Sequence, residues 1–269
     1  MGVGHGLANA VLAVDQLFFT PTTWFGEDTM TARNIICMKW GTKYGPEYVN
    51  TLHSMVDRHL SGDFRFICLT DDEAGIDDRI ECFPIPNLEI EDGPERGWKK
   101  LNVFRTGLWD LHGPTLFLDL DVVITNSIDA LFEHPGEFLI IHDWAKGSRD
   151  IGNSSVFRFE AGTHQDVIDR FEKDHQLIRT QVRNEQEYLT RAVENKSGFG
   201  FWPAEWCVSF KYQCMAKFPL SFFKDPILPA QAKVIAFHGH PTPPEAIEGV
   251  SRKWTRWVRP TKWVAEHWR

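Results

Sequence analysis

From residue 33 onward the chain alternates short apolar runs with amphipathic stretches, and this alternation limits the fold more than any other feature. NIICMKW is a β-rich run. PEYVNTLHSMVDRHL opens with proline at an allowed first-turn position and carries apolar residues at helical spacing, and FRFICLT is a second strand closed by Asp71 and Asp72. That order is a βαβ unit. RIECFPI adds a strand, GWKKLNVFRTGLWDL reads as a helix, and PTLFLDL reads as a strand after Gly113-Pro114. In the second half EFLIIHD and SSVFRF read as strands, THQDVIDRFEKDHQLI and NEQEYLTRAVEN as helices, and KVIAFHG as a late buried strand ending in His238. The pattern predicts an α/β fold with a mixed, mainly parallel sheet flanked by helices. Such sheets bind ligands beyond the carboxyl ends of their strands, where Asp71, Asp72, Asp119, Asp121 and the KWGTKYG turn fall.

With 269 residues, 42% hydrophobic and 25% charged, the chain is long enough for one sizeable globular domain. No repeat or linker divides residues 30–250, which are read as a single catalytic domain. Residues 1–29 read as an extension, non-native or disordered: ANAVLAVDQLFF is interrupted by Asn9 and Asp15 and is too short to span a bilayer. Residues 251–269 form a tail with six basic residues, one acid and four tryptophans. Such a tail suits peripheral contact with a membrane interface, or a terminal helix whose tryptophans pack on the core. The net charge of −8 argues against a nucleic-acid partner, because phosphate neutralisation needs a basic face. Five cysteines without a CxxC pair point to reduced thiols and a cytoplasmic, at most membrane-associated, setting.

The densest chemistry is in LFLDLDVVIT, where Asp119 and Asp121 follow an apolar run. Residues two apart share a strand face, so the two carboxylates repel each other unless a cation lies between them. In one reading they hold Mn²⁺ or Mg²⁺ that bridges a nucleoside diphosphate. In a second, DLDVV is the nucleophile motif of a dehalogenase-type phosphatase. In the third, one aspartate caps a turn and the other is solvated. A complete βαβ region precedes the motif, as in a nucleotide-binding half, and favours the first.

Taken together, RNIICMKWGTKY, GWKKL, LFLDLDVVI, IGNSSVF and NEQEYL resemble, in kind and order, the motifs of GT-A-fold glycosyltransferases, particularly glycosyltransferase family 8. The resemblance implies a GT-A-like (Rossmann-like) domain that moves a sugar from a nucleoside diphosphate sugar, UDP first among them, to a hydroxyl acceptor with retention. It implies a role in polysaccharide assembly and a saccharide or lipid-linked saccharide acceptor. It places Lys39, Trp40, Tyr44, Asp71 and Lys100 around the nucleotide, and Asn153, Glu185 and Gln186 on the catalytic, sugar-facing side. It makes Asp119, Asp121 and His238 the metal ligands, with His240 able to exchange roles with His238. The chain departs from the family at Ser155, where the family has glycine, and its FHGHPTPPEA segment matches the family's terminal His signature loosely. A nucleotide-sugar-binding module without turnover is the remaining alternative.

Overall fold

A computed structural model describes residues 1–2, 33–91, 93–145, 150–250, 252 and 257–269. The chain divides into Met1–Met30 and Thr31–Arg269, and every element below belongs to the second unit. The expectation for the N-terminal extension therefore falls outside the described residues, apart from Met1 and Gly2. So does Trp254 of the tail.

Strand β1 (Arg33–Lys39) is buried along six of its seven residues. It pairs in parallel with β2 (Phe64–Thr70) on one side and β4 (Pro114–Leu118) on the other, and β2 pairs in parallel with β3 (Glu81–Pro84). Beyond β4, β7 (Gly152–Glu160) is antiparallel, followed by β6 (Phe138–His142) and β8 (Phe199–Phe201), giving the order β3-β2-β1-β4-β7-β6-β8. The chain winds outward from β1 to β3 and returns on the other side as β4, so the strand order reverses between β1 and β4. A second sheet, in the order β5-β10-β9, is built from β5 (Val122–Ile124), β9 (Cys207–Ser209) and β10 (Val234–Ala236).

Strand alternation splits the core in two. Ile35 and Cys37 pack with α1 (Pro46–His59) and the small sheet, whereas Ile36 and Met38 pack with α3 (Gln165–Gln181) and α4 (Glu185–Val193). Pro46 starts α1 where its missing N–H costs nothing, and the Asn184 side chain caps α4 by accepting from Glu187 N–H at 3.2 Å. Shorter helices α2 (Asp129–Glu133), α5 (Pro243–Glu248) and α6 (Lys262–His267) complete the unit. The stretch read as a helix from Gly97 to Leu111 is instead a 3₁₀ helix, Trp98–Phe104, followed by turns. Gly97 and Gly107 both take positive φ and bracket it. The late strand stops at Ala236, two residues before His238.

In the tail, Trp263 and Trp268 pack half-buried against the core, and Trp257 stacks on Phe222 at 5.8 Å. Pro260 precedes α6 rather than continuing a helix. Among the described residues no helix is long and apolar enough to cross a membrane.

All five cysteines are free, and burial pushes up the thiols of Cys37, well above its ordinary value, of Cys207, of Cys214 to about 12 and of Cys82 to about 11. Only Cys82 is partly exposed. A thiol reagent at pH 8 is expected to modify no more than this one cysteine within minutes in the native protein, and all five in guanidinium. Rapid reaction of two or more native thiols would contradict the packing.

Candidate active site

Asp119-Leu120-Asp121 is the three-residue link by which the chain leaves β4 in the large sheet and enters β5 in the small one. Both ends of the link are anchored: Asp119 N–H donates to Ser155 O at 2.9 Å, and Phe237 N–H donates to Asp121 O at 3.0 Å. The two carboxylates thus face one cavity because of this crossing, not because they share a pleated strand. The cavity, about 460 Å³, opens at the carboxyl ends of β1 and β4, where the strand order reverses. Trp40, Tyr44 and Lys100 line it with both aspartates; Ser154, Ser155, Glu185, Gln186 and His238 line its other side.

One cation beside Asp119 is supplied by the chain itself. Lys100 Nζ lies 2.8 Å from Asp119 Oδ1 and donates to Ser154 O (3.1 Å) and Ser154 Oγ (3.2 Å), while sitting 4.9 Å from the Phe117 ring centroid. These three acceptors match the three N–H bonds of an ammonium, so Lys100 ties Asp119 to Ser154 rather than presenting free donors to a ligand. Burial pulls its pKa down, but Asp119 and Glu185 outweigh burial and leave it raised. Ser154 Oγ in turn donates to Glu185 Oε2 at 2.9 Å. Burial raises Glu185 to about 7 against the opposing pull of Lys100, and its Oε1 is buried without a hydrogen-bond partner. Gly97 is required beside it: φ is +84°, and an added Cβ would stand 3.2 Å from Glu185 Oε2.

Asp121 is 7% exposed and accepts from Tyr44 Oη at 2.6 Å. Burial first, and the charge of Asp119 second, raise it to about 6. A carboxylate raised by a second carboxylate is under-compensated, which is the electrostatic condition a bound cation relieves. Among the described residues no three His, Cys, Asp or Glu side chains are grouped closely enough to enclose a metal. His238 shares the cavity wall, stacked on Trp144 at 5.4 Å, with its Nε2 2.7 Å from Ser209 Oγ. Two carboxylates are donors of the kind a hard divalent ion takes, and they do not form a closed protein cage.

Several expected site residues lie elsewhere. Lys39 is 4% exposed and donates to Asp72 O at 2.9 Å, so it pins the β2 end instead of reaching the cavity. Asp71 accepts from Gly41 N–H at 2.8 Å and borders a neighbouring cavity beside Trp98 and Lys99. Asn153 does not line the cavity; its amide donates to Gln186 Oε1 at 3.2 Å and orients that side chain. His240 points away to Glu245, at 2.8 Å, beside the capping box of α5. Conversely, Lys43 and Arg96 line the cavity and escaped notice. They are exposed cations in turns, which carry no periodic signal; only their place, Lys43 inside KWGTKY and Arg96 directly before GWKKL, could have flagged them.

Solved structures resemble this fold. The galactosyltransferase LgtC, solved in complex with donor and acceptor sugar analogues, superposes with a TM-score of 0.60 at 15% identity, over 87% of this chain and 94% of that one. The fold is of the GT-A glycosyltransferase type. GlyE of Streptococcus pneumoniae TIGR4 matches with a TM-score of 0.54 at 14% identity, over 78% of this chain and 56% of its own. The bifunctional glycosyltransferase WbbM, in its apo form, gives 0.51 at 11%, over 79% and 47%. This GT-A chain therefore aligns with only about half the length of the last two. No protein-family model and no curated protein matches it.

Proposed function

We propose that this chain is a glycosyltransferase that moves a sugar from a nucleoside diphosphate sugar, most simply a UDP-sugar, to a hydroxyl of a saccharide or lipid-linked saccharide, with retention at the anomeric carbon. The observation that carries the reading is the paired carboxylate link, Asp119 and Asp121, lining a cavity at the switch point of a GT-A fold. In this reading the two carboxylates hold Mn²⁺ or Mg²⁺, which when bound offsets the negative charge developing on the departing diphosphate. His238 stands on the same wall as a further ligand candidate. Lys43 and Arg96 meet phosphate oxygens at the cavity mouth. Trp40 and Tyr44 flank the base and ribose. Glu185 and Gln186 face the sugar, Asn153 orients Gln186, and Lys100 fixes Asp119 at a constant distance from Glu185. The acceptor proton passes to the departing phosphate oxygen. A cytoplasmic setting agrees with the five free thiols. No observation favours the phosphatase.

Thermal melting with a panel of nucleotide sugars tests the proposal. A ligand at a hundred times its dissociation constant stabilises the native state by roughly 2.7 kcal/mol, which for a domain of this size is a Tm rise of about 5–10 °C. One nucleoside diphosphate sugar is expected to give that rise with Mn²⁺ and far less with EDTA. A flat response to every donor, or equal shifts with and without metal, would overturn it.

A further inference from the structure

Half of the large apolar side chains exposed among the described residues are gathered on one stretch of surface. Phe218 (46% exposed), Leu220 (51%), Phe223 (80%) and Ile227 (71%) lie within ten residues, and Trp257 (39%) stacks on Phe222 beside them. The stretch is a built surface. Phe222 N–H donates to Pro219 O and Lys224 N–H to Leu220 O, at 3.2 and 3.0 Å; Ile227 N–H ties back to Cys214 O at 2.9 Å. From the C-terminal side, Trp263 Nε1 donates to Pro226 O at 3.0 Å and Arg259 pairs with Asp225 at 2.5 Å. A backbone fixed this way holds its apolar side chains outward in a definite arrangement, and an exposed patch of this kind marks a surface that something covers.

The charge around the patch indicates what. The chain carries a net −8, yet Lys217 and Lys224 are exposed within the patch, and its one acid, Asp225, is neutralised by Arg259. Aromatic and branched apolar residues interleaved with lysines on an otherwise acidic protein are complementary to an interface that is greasy below and anionic above. We propose that the surface of residues 217–227 with Trp257 docks this chain onto an anionic lipid bilayer, with Phe218, Leu220, Phe223 and Ile227 entering the headgroup region. Of the tail tryptophans that are described, Trp257 belongs to this surface and Trp263 supports it through Pro226. The surface is tied to the flank of the cavity: Ile227 N–H bonds to Cys214 O, and Tyr212, two residues before Cys214 and 55% exposed, has its ring 5.7 Å from that of His238. Docking therefore brings the cavity mouth to an acceptor held in the bilayer, a consequence that rests on the proposed transferase reading, whereas the docking itself does not.

Co-sedimentation with vesicles tests it, using phosphatidylcholine alone and phosphatidylcholine with 30% phosphatidylglycerol. The wild type is expected to bind the anionic vesicles at least tenfold more tightly than the neutral ones, and to lose most of that preference in high salt, because each cation near an anionic surface contributes roughly a fivefold factor. Phe223→Ser with Ile227→Ser should weaken binding at least tenfold; Lys217→Glu with Lys224→Glu should remove the preference for anionic lipid. Unchanged melting temperatures in both pairs would certify that they are folded. Vesicle binding by the variants equal to wild type, or no preference for anionic lipid, overturns the proposal. So does a concentration-dependent dimer, in sedimentation velocity, that the Phe223 and Ile227 pair abolishes in a protein that ignores vesicles. A protein that binds vesicles as described but no nucleotide sugar would refute the transferase reading and leave the docking surface standing.

Discussion

Lys100→Met is expected to destabilise the protein by about 3 kcal/mol at pH 8, the scale for removing one partner of a buried ion pair. The side chains are similar in length, so packing on Phe117 is largely kept, and what is lost is the ammonium that three carboxylates share. Lys100 Nζ is 2.8 Å from Asp119, and Glu185 and Asp121 both feel its charge. Glu185 sits at about 7 and Asp121 at about 6 even with the lysine present. Both therefore bind protons in the native state at pH values where the unfolded chain has released them. Stability falls as pH rises through that window, from about 4 to 7, and removing Lys100 raises both pKa values and extends the window upward. The penalty should accordingly be largest at pH 8 and shrink toward pH 5, where the orphaned carboxylates can protonate. Urea denaturation at the two pH values measures it. An equal loss at both would mean that Lys100 acts through its contacts with Phe117 and Ser154, and that the charge network is incidental.

How far the sequence could be read follows from burial. β1, β2 and β4 are covered on both faces, so they appear as unbroken apolar runs, and α1 is recognisable from Pro46 and its one-sided spacing. Of the small sheet only β10 was legible, in KVIAFHG; β5 and β9 are three residues each, and the pairing of positions 122, 207 and 234 is one that no local pattern encodes. The segment after Gly97 misled because Trp98 and Leu101 have a spacing that both an α-helix and a 3₁₀ turn satisfy. In the site, Asp119 and Asp121 were legible as adjacent charges in an apolar context. Which of Asn153, Ser154 and Ser155 meets the cavity was not: a register shift at Ile140/Ile141 interrupts the β6–β7 pairing where simple alternation would have decided it. The motif order around Gly97 pointed to Lys100, which does line the cavity. It could not foretell that Asp119 and Ser154 already take up that lysine's donors.

Asp121→Asn should move stability the other way. In metal-free protein at pH 8 the variant is expected to be more stable than wild type by roughly 2 kcal/mol, since a carboxylate at about 6 instead of 3.8 disfavours the native state by about 1.4 kcal/mol per unit once it ionises, less what its coupling to Asp119 returns. The amide fits the site: Tyr44 Oη, which donates to Asp121 at 2.6 Å, can donate equally to the asparagine oxygen. As pH climbs from about 4 to 6 wild-type stability drops further than the variant's, which keeps only the fall due to Glu185, so their difference should be near zero at pH 4 and fully developed above 6. If Asp121 holds the cation that balances a departing diphosphate, the same substitution should lower kcat/KM by at least a hundredfold, a scale typical of removing one preorganised charge contact. Gain in stability with loss of turnover is what a residue kept for chemistry produces, because the unfavourable burial of its charge is tolerated only for what it binds. Retained turnover at saturating Mn²⁺ would remove Asp121 from the site, and a loss of stability in the metal-free variant would make it a structural acceptor for Tyr44.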